Sequence, residues 1–240
     1  MKVSEVKQAI GRFIRDHQTA FVWLGSRQTQ LLELGATVGV IQHYKSAGFT
    51  TKVVNPVGAK GFTVKLGTRG HPCDYSRVVC SKDNRTFEIH SNVSVRGARN
   101  PGVYCVDVGV VKEGAIPLKR SRATWTCIRN EDLVTFAEAK KLVVYPMLLA
   151  QFIGIVHELL PAFLGKRRRL YGPQGHIPPC LIALGTLSGN SQSIIDHFGA
   201  RRFQLLVAEG FDFRLSAVKR NFRRSPFYLD DDSFAPPAAG

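Results

Sequence analysis

A mostly apolar run at residues 142–164, bracketed by Lys140-Lys141 and by Lys166-Arg167-Arg168-Arg169, decides first whether the chain belongs in a membrane or in water. Its length suffices for a bilayer-spanning helix. Gln151, His157 and Glu158 fall inside it, and an ionised group near a bilayer centre costs about 2.5–3.5 kcal/mol on insertion scales. Pro146 and Pro161 frame a helix of about four turns instead, because proline suits a first turn and stops a last one. The run is therefore read as a core helix, 145–160, following a strand. Residues 1–20 mix charged and apolar residues at helical spacing and lack the uninterrupted stretch of a secretory signal, so Met1 is expected to be the true start.

Periodicity predicts an amphipathic helix at 3–16 and a second at 28–46, stopped by Gly48. Short β-rich segments follow at 50–54, 62–66, 76–80 and 85–95, the last two forming a hairpin around Lys82-Asp83-Asn84. Further strands are expected at 103–111 and 133–139, then the framed helix, a buried strand at 180–187, a helix at 191–198 and a strand at 203–208. This alternation implies α/β layering. The expected organisation is an N-terminal helical extension (1–27), one domain (28–224) and a tail (225–240) rich in Asp and Pro.

Charge narrows the partners. Across 240 residues, 33 Lys+Arg against 18 Asp+Glu give a formal +15 and a pI near 10.0, which favours polyanions, nucleic acid first. The clusters Lys166-Arg167-Arg168-Arg169 and Arg201-Arg202 are candidate phosphate contacts. Glycine-rich phosphate loops are absent, which argues against nucleotide-driven motors and dinucleotide enzymes. Five cysteines, odd in number and without metal-site spacing, point to a reducing, cytoplasmic setting.

With acidic residues scarce, a carboxylate inside an apolar strand is informative, since burying an unpaired charge is strongly unfavourable. Asp107 lies within Tyr104-Cys105-Val106-Asp107-Val108, and Glu138 within Phe136-Ala137-Glu138-Ala139-Lys140. Strand alternation puts Glu138 and Lys140 on one face, and adjacent strands would bring Asp107 beside them. Two carboxylates and a lysine can hold Mg²⁺ and a water, an arrangement suited to phosphodiester hydrolysis. Glu88 and His90, in the preceding strand, are read as structural.

Asp107, the 31-residue step to Glu138 and the Glu138-Ala139-Lys140 triplet resemble the PD-(D/E)xK nuclease superfamily, with Val106 where that motif carries proline. The resemblance covers roughly residues 28–187. It implies a restriction-endonuclease-like α-β-β-β-α-β core, a central mixed sheet flanked by helices. By position it makes Asp107 and Glu138 metal ligands, the Ala139 carbonyl a third, and Lys140 the residue that positions or activates water. Glu33 matches an acidic residue of the family's first helix, and Gln151 a glutamine near the metal on the helix after the triplet. The implied protein is a Mg²⁺-dependent nuclease, with Mn²⁺ as a substitute, acting on DNA, free of membranes and compatible with a homodimer. The alternative is a non-catalytic nucleic-acid-binding protein on the same scaffold.

Overall fold

A computed structural model describes residues 28–59, 61–117, 127–165 and 176–211, so the 1–27 extension, the 166–169 basic run and the 225–240 tail lie outside the described residues. The described chain is α/β. Three α-helices, α1 (Gln28–Ser46), α2 (Pro146–Leu159) and α3 (Gly189–Asp196), accompany seven strands: β1 (Thr50–Val54), β2 (Arg77–Lys82), β3 (Arg85–Arg96), β4 (Val103–Lys112), β5 (Leu133–Lys140), β6 (Cys180–Ala183) and β7 (Leu206–Ala208). The strands form one mixed sheet in the order in which they occur in the chain. β1 to β5 are antiparallel neighbours, and β6 and β7 continue the sheet in parallel. Helices span the two parallel steps, as such crossovers require.

Two cores cover the two faces. One holds Leu32, Leu34, Ile41 and Tyr44 of α1 against Phe87, Ile89, Val108, Val110, Ala137 and Ala139 of the sheet. The other holds Leu149, Phe152, Val156 and Leu159 of α2, with Ile195 of α3, against Val93, Val95, Val106, Phe136 and Leu181. α1 is buried on nearly every side, which its Leu, Val, Ile and Ala content permits. It stops at Gly48, whose φ of +83° supplies the left-handed turn that terminates helices. α2 begins with Pro146 at its first turn and presents Leu148, Leu149, Phe152, Val156 and Leu159 inward. Full burial of side chains such as Leu149 and Phe152 is worth about 1.5–3 kcal/mol each. At 14 residues, about 21 Å, α2 falls short of a bilayer core of about 30 Å. Among the described residues no helix is long and apolar enough to cross a membrane.

Three expected strands differ: the one expected at 203–208 is shortened to β7, Leu206–Ala208, because Phe203 N–H donates instead to Phe198 O at 2.9 Å in the turn after α3. Residues 62–66 form no strand, because their polar backbone groups find partners outside any ladder. Thr63 N–H donates to Ser76 Oγ at 2.7 Å, Ser76 N–H to Thr63 O at 2.8 Å, and the Asn92 amide to Lys65 O at 2.9 Å. β6 ends at Ala183 rather than 187. Gly185 there lies so close to the β5–α2 connection that an added Cβ would sit 2.6 Å from Leu142 O and 2.7 Å from Val143 N. Only a bridge between Val144 and Leu187 resumes the pairing.

β3 and β4 change faces together at one point. Strict alternation would put Phe87, Ile89, Val93 and Val95 on one side of the sheet. Instead the first two pack under α1 and the last two with α2. Between them lies Asn92, at φ +52°, a left-handed conformation that asparagine tolerates better than most residues. The register does not slip: Ser91 pairs with Val108 and Val93 with Val106, which leaves Asp107 opposite Asn92.

Candidate active site

β4 and β5 part where β4 changes face. Their ladder reaches Val108 and Ala137, and beyond it the Asp107 carboxylate replaces the next rung, Oδ2 accepting the Ala139 N–H at 2.8 Å. β5 itself continues beside β6 as far as the Lys140–Ala183 pair. Ala137 and Ala139 pack into the core under α1, so Glu138 and Lys140 share the other side of the strand. Lys140 Nζ lies 2.8 Å from Glu138 Oε2 and 3.4 Å from Asp107 Oδ2. One ammonium thus joins the two carboxylates at the fork.

Glu138 is only 5% exposed, and among the described residues its buried Oε1 has no hydrogen-bond partner. Burial, reinforced by the Asp107 charge, pushes its carboxyl up to about 7 against the opposing pull of Lys140 and of a hydrogen bond from the Asp107 backbone. Burial alone would lower the Lys140 ammonium, but Glu138 and Asp107 outweigh it and hold the group above its ordinary value. Lys140 is therefore a cation at neutral pH.

Glu33 comes to the same place from α1. Its Oε2 accepts a hydrogen bond from Asn92 Nδ2 at 3.2 Å. Burial raises its pKa, the Asn92 bond opposes the rise, and the charges of Asp107 and Lys140 act on it from nearby. Asn92 is itself clamped: its amide reaches Lys65 O, while Lys65, a residue 3% exposed, donates from Nζ to Asn92 O at 2.7 Å. Cys105 lies within reach of the same charges; burial first, then Asp107, Glu138 and Glu33, push its thiol up to about 11 against Lys65. It is a neutral thiol, and all five cysteines are free.

Of the residues singled out from sequence, Asp107, Glu138, Ala139, Lys140 and Glu33 come together. Gln151 does not join them: it is exposed on α2, lines a groove on that helix's outer side, and makes no hydrogen bond to Asp107, Glu138 or Lys140 among the described residues. Arg201 and Arg202 are exposed in the turn after α3, and Lys166, Arg167, Arg168 and Arg169 lie outside the described residues. Glu88 and His90 pair with each other at 2.8 Å, with Arg77 Nε 3.3 Å from Glu88, and stay apart from the cluster. Asn92 and Lys65 were not singled out. The one available signal was an asparagine, a turn-favouring residue, in the middle of a strand.

The donors at the fork are oxygens: two carboxylates and the backbone of Ala139 between them. Among the described residues no three His, Cys, Asp or Glu side chains close on one point, so a cation here would complete its shell with backbone and water, as Mg²⁺ commonly does. The unpartnered Glu138 Oε1 fits such an ion, since a buried carboxylate oxygen otherwise forfeits its hydration. Comparison of the chain with protein-family models, with curated proteins and with solved structures finds no match.

Proposed function

We propose that the protein is a divalent-metal-dependent nuclease that hydrolyses phosphodiester bonds in DNA on a restriction-endonuclease-like core. The observation that carries this reading is the fork itself, where Lys140 bridges Asp107 and Glu138 beside a buried carboxylate oxygen without a partner. The order of elements supports it too: α1, the antiparallel β3–β4–β5, α2, then β6 parallel to β5 follow the sequence that the resemblance implies.

Asp107 and Glu138 would hold Mg²⁺ or Mn²⁺ together with the Ala139 carbonyl. When bound, the cation supplies Lewis-acid polarisation of a phosphate oxygen and makes a water more acidic. Lys140, kept cationic by its two carboxylates, orients that water and offsets negative charge developing on the phosphate. Glu33, held by Asn92, adds a third carboxylate at the rim that can fix a water rather than touch the reacting atoms. The formal +15 of the chain supplies general affinity for a polyanion.

The test is cleavage of plasmid, linear duplex, single-stranded DNA and RNA in Mg²⁺, Mn²⁺ or EDTA by the wild type and by Glu138→Ala. Wild-type cleavage that needs metal, with a loss on the order of 10²–10³-fold in the variant and an unchanged circular dichroism spectrum, is the expected result. Cleavage that survives Glu138→Ala overturns the assignment. Binding without cleavage by both proteins makes the chain a non-catalytic nucleic-acid-binding protein.

A further inference from the structure

A second feature lies on the far side of α2. A groove of about 770 Å³ runs along its outer face, lined among others by Tyr104, Gln151, Gly154, Leu164, Arg201 and Phe203. Its floor is open at Gly154, where an added Cβ would meet nothing within 4 Å. Three walls are apolar or aromatic: Tyr104 from β4, Leu164 from the turn after α2, and Phe203 before β7. The Arg201 guanidinium lies over the Phe203 ring at 4.2 Å from its centroid, and Arg201 is exposed.

This chemistry suits a flat, polar-edged neutral ring attached to a negatively charged phosphate. A guanidinium plane backed by an aromatic ring is a stacking platform, and Gln151 offers both a donor and an acceptor to a base edge. The groove's carboxylate, Glu158, is already engaged by the Asn100 amide and by His157 Nδ1 at 3.1 Å. His157 in turn contacts Arg99 at 3.3 Å, so the rim is not an anionic barrier. The chain passes from Leu164 and Gly165 directly into Lys166-Arg167-Arg168-Arg169. Tyr104 stands on the same strand as Asp107, three residues away, about 10 Å along it.

We propose that this groove stacks an unpaired base of the nucleic acid, so that the substrate is a strand with a single-stranded segment rather than continuous duplex. The inference rests on the nucleic-acid reading above and adds strandedness to it. A base in a duplex has both faces covered, whereas an unpaired one exposes a face to aromatic and guanidinium planes.

The experiment measures binding of the full chain in EDTA to a fluorescein-labelled oligodeoxynucleotide, single-stranded or annealed to its complement. The proteins are wild type, Gly154→Leu, which fills the open floor without touching the core, and Arg201→Gln. The expected result is about a tenfold loss on the single strand for each variant, with duplex affinity unchanged for Gly154→Leu and reduced less than single-strand affinity for Arg201→Gln, and thermal midpoints no lower than wild type. Equal losses on both forms, or none, overturn the proposal, as does free dAMP bound as tightly as the oligonucleotide. Sedimentation in which Gly154→Leu breaks up an oligomer also overturns it, because the groove is then an interface between copies. Since EDTA removes hydrolysis, metal-dependent cleavage with an indifferent Gly154→Leu rejects the groove alone. A chain that binds neither form rejects the nuclease reading as well.

Discussion

Lys65 donates its buried ammonium to the carbonyl of Asn92, and Asn92 passes the constraint to Glu33 through its amide. Burial holds the Lys65 pKa below its ordinary value, so desolvation takes back part of what a charged hydrogen bond, about 1.5–3 kcal/mol, contributes. Lys65→Met therefore is expected to lower stability by about 1–2 kcal/mol in urea unfolding. Equal midpoints for the two proteins would mean that desolvation cancels the bond. Asp107, Glu138 and Lys140 were legible in the sequence because a charge in an apolar strand needs a reason. Lys65 and Asn92 were not, since their roles arise only when a coil segment meets a strand residue 27 positions away. The left-handed backbone at Asn92 also leaves no mark in composition or period.

At the level of elements, the helices and the central strands follow from periodicity and punctuation: α1, β1 and β3 to β5 lie where apolar spacing puts them, within a residue at each end. The departures come from tertiary partners. Residues 62–66 have a strand's composition, but side chains of Ser76 and Asn92 take the bonds a ladder would use. β6 is cut short by the close approach of Gly185 to the backbone of Leu142 and Val143, which immediately follow Lys140-Lys141. Because backbone atoms cannot step aside as a side-chain tip can, Gly185→Ala is expected to cost about 1–3 kcal/mol, read as a lower thermal midpoint. An unchanged midpoint would show that the β5–α2 connection is free to move away from β6. The segment just past β6 grips both sides of this connection, Leu184 N–H donating to Lys140 O at 3.1 Å and Val144 N–H to Thr186 O at 2.9 Å.

Across the whole molecule, two buried groups give opposite pH dependences. His176, which lies against Tyr44 with Nδ1 3.0 Å from its hydroxyl, is pushed down to about 4 from 6.5 by burial and then by Arg85. It favours the fold above pH 6.5, and that contribution is lost as pH falls toward 4. Glu138, raised from 4.5 to about 7, favours the fold in its protonated form, and that contribution is lost as pH rises from 4.5 through 7. Each amounts to about 3 kcal/mol at most. Relative to wild type, Glu138→Gln is therefore expected to gain stability as pH rises from 4.5 to 8 without metal, and His176→Phe as pH falls from 6.5 to 4. Chemical denaturation across that range checks both, and parallel curves for variant and wild type would refute the corresponding shift. The strand order of the sheet bears on a different question, how the chain reaches this state. Since, among the described residues, every strand after β1 pairs with its predecessor in the sequence, each new strand meets an edge that has already emerged during synthesis. Among the described residues no strand is inserted between two others, and loop closure is tight at β2–β3 and β3–β4, while the other four connections are longer excursions. Every residue of the fork lies on α1, β4 or β5, so its carboxylates and lysine have already emerged when β6 arrives to pair with the Lys140 end and fix it in place.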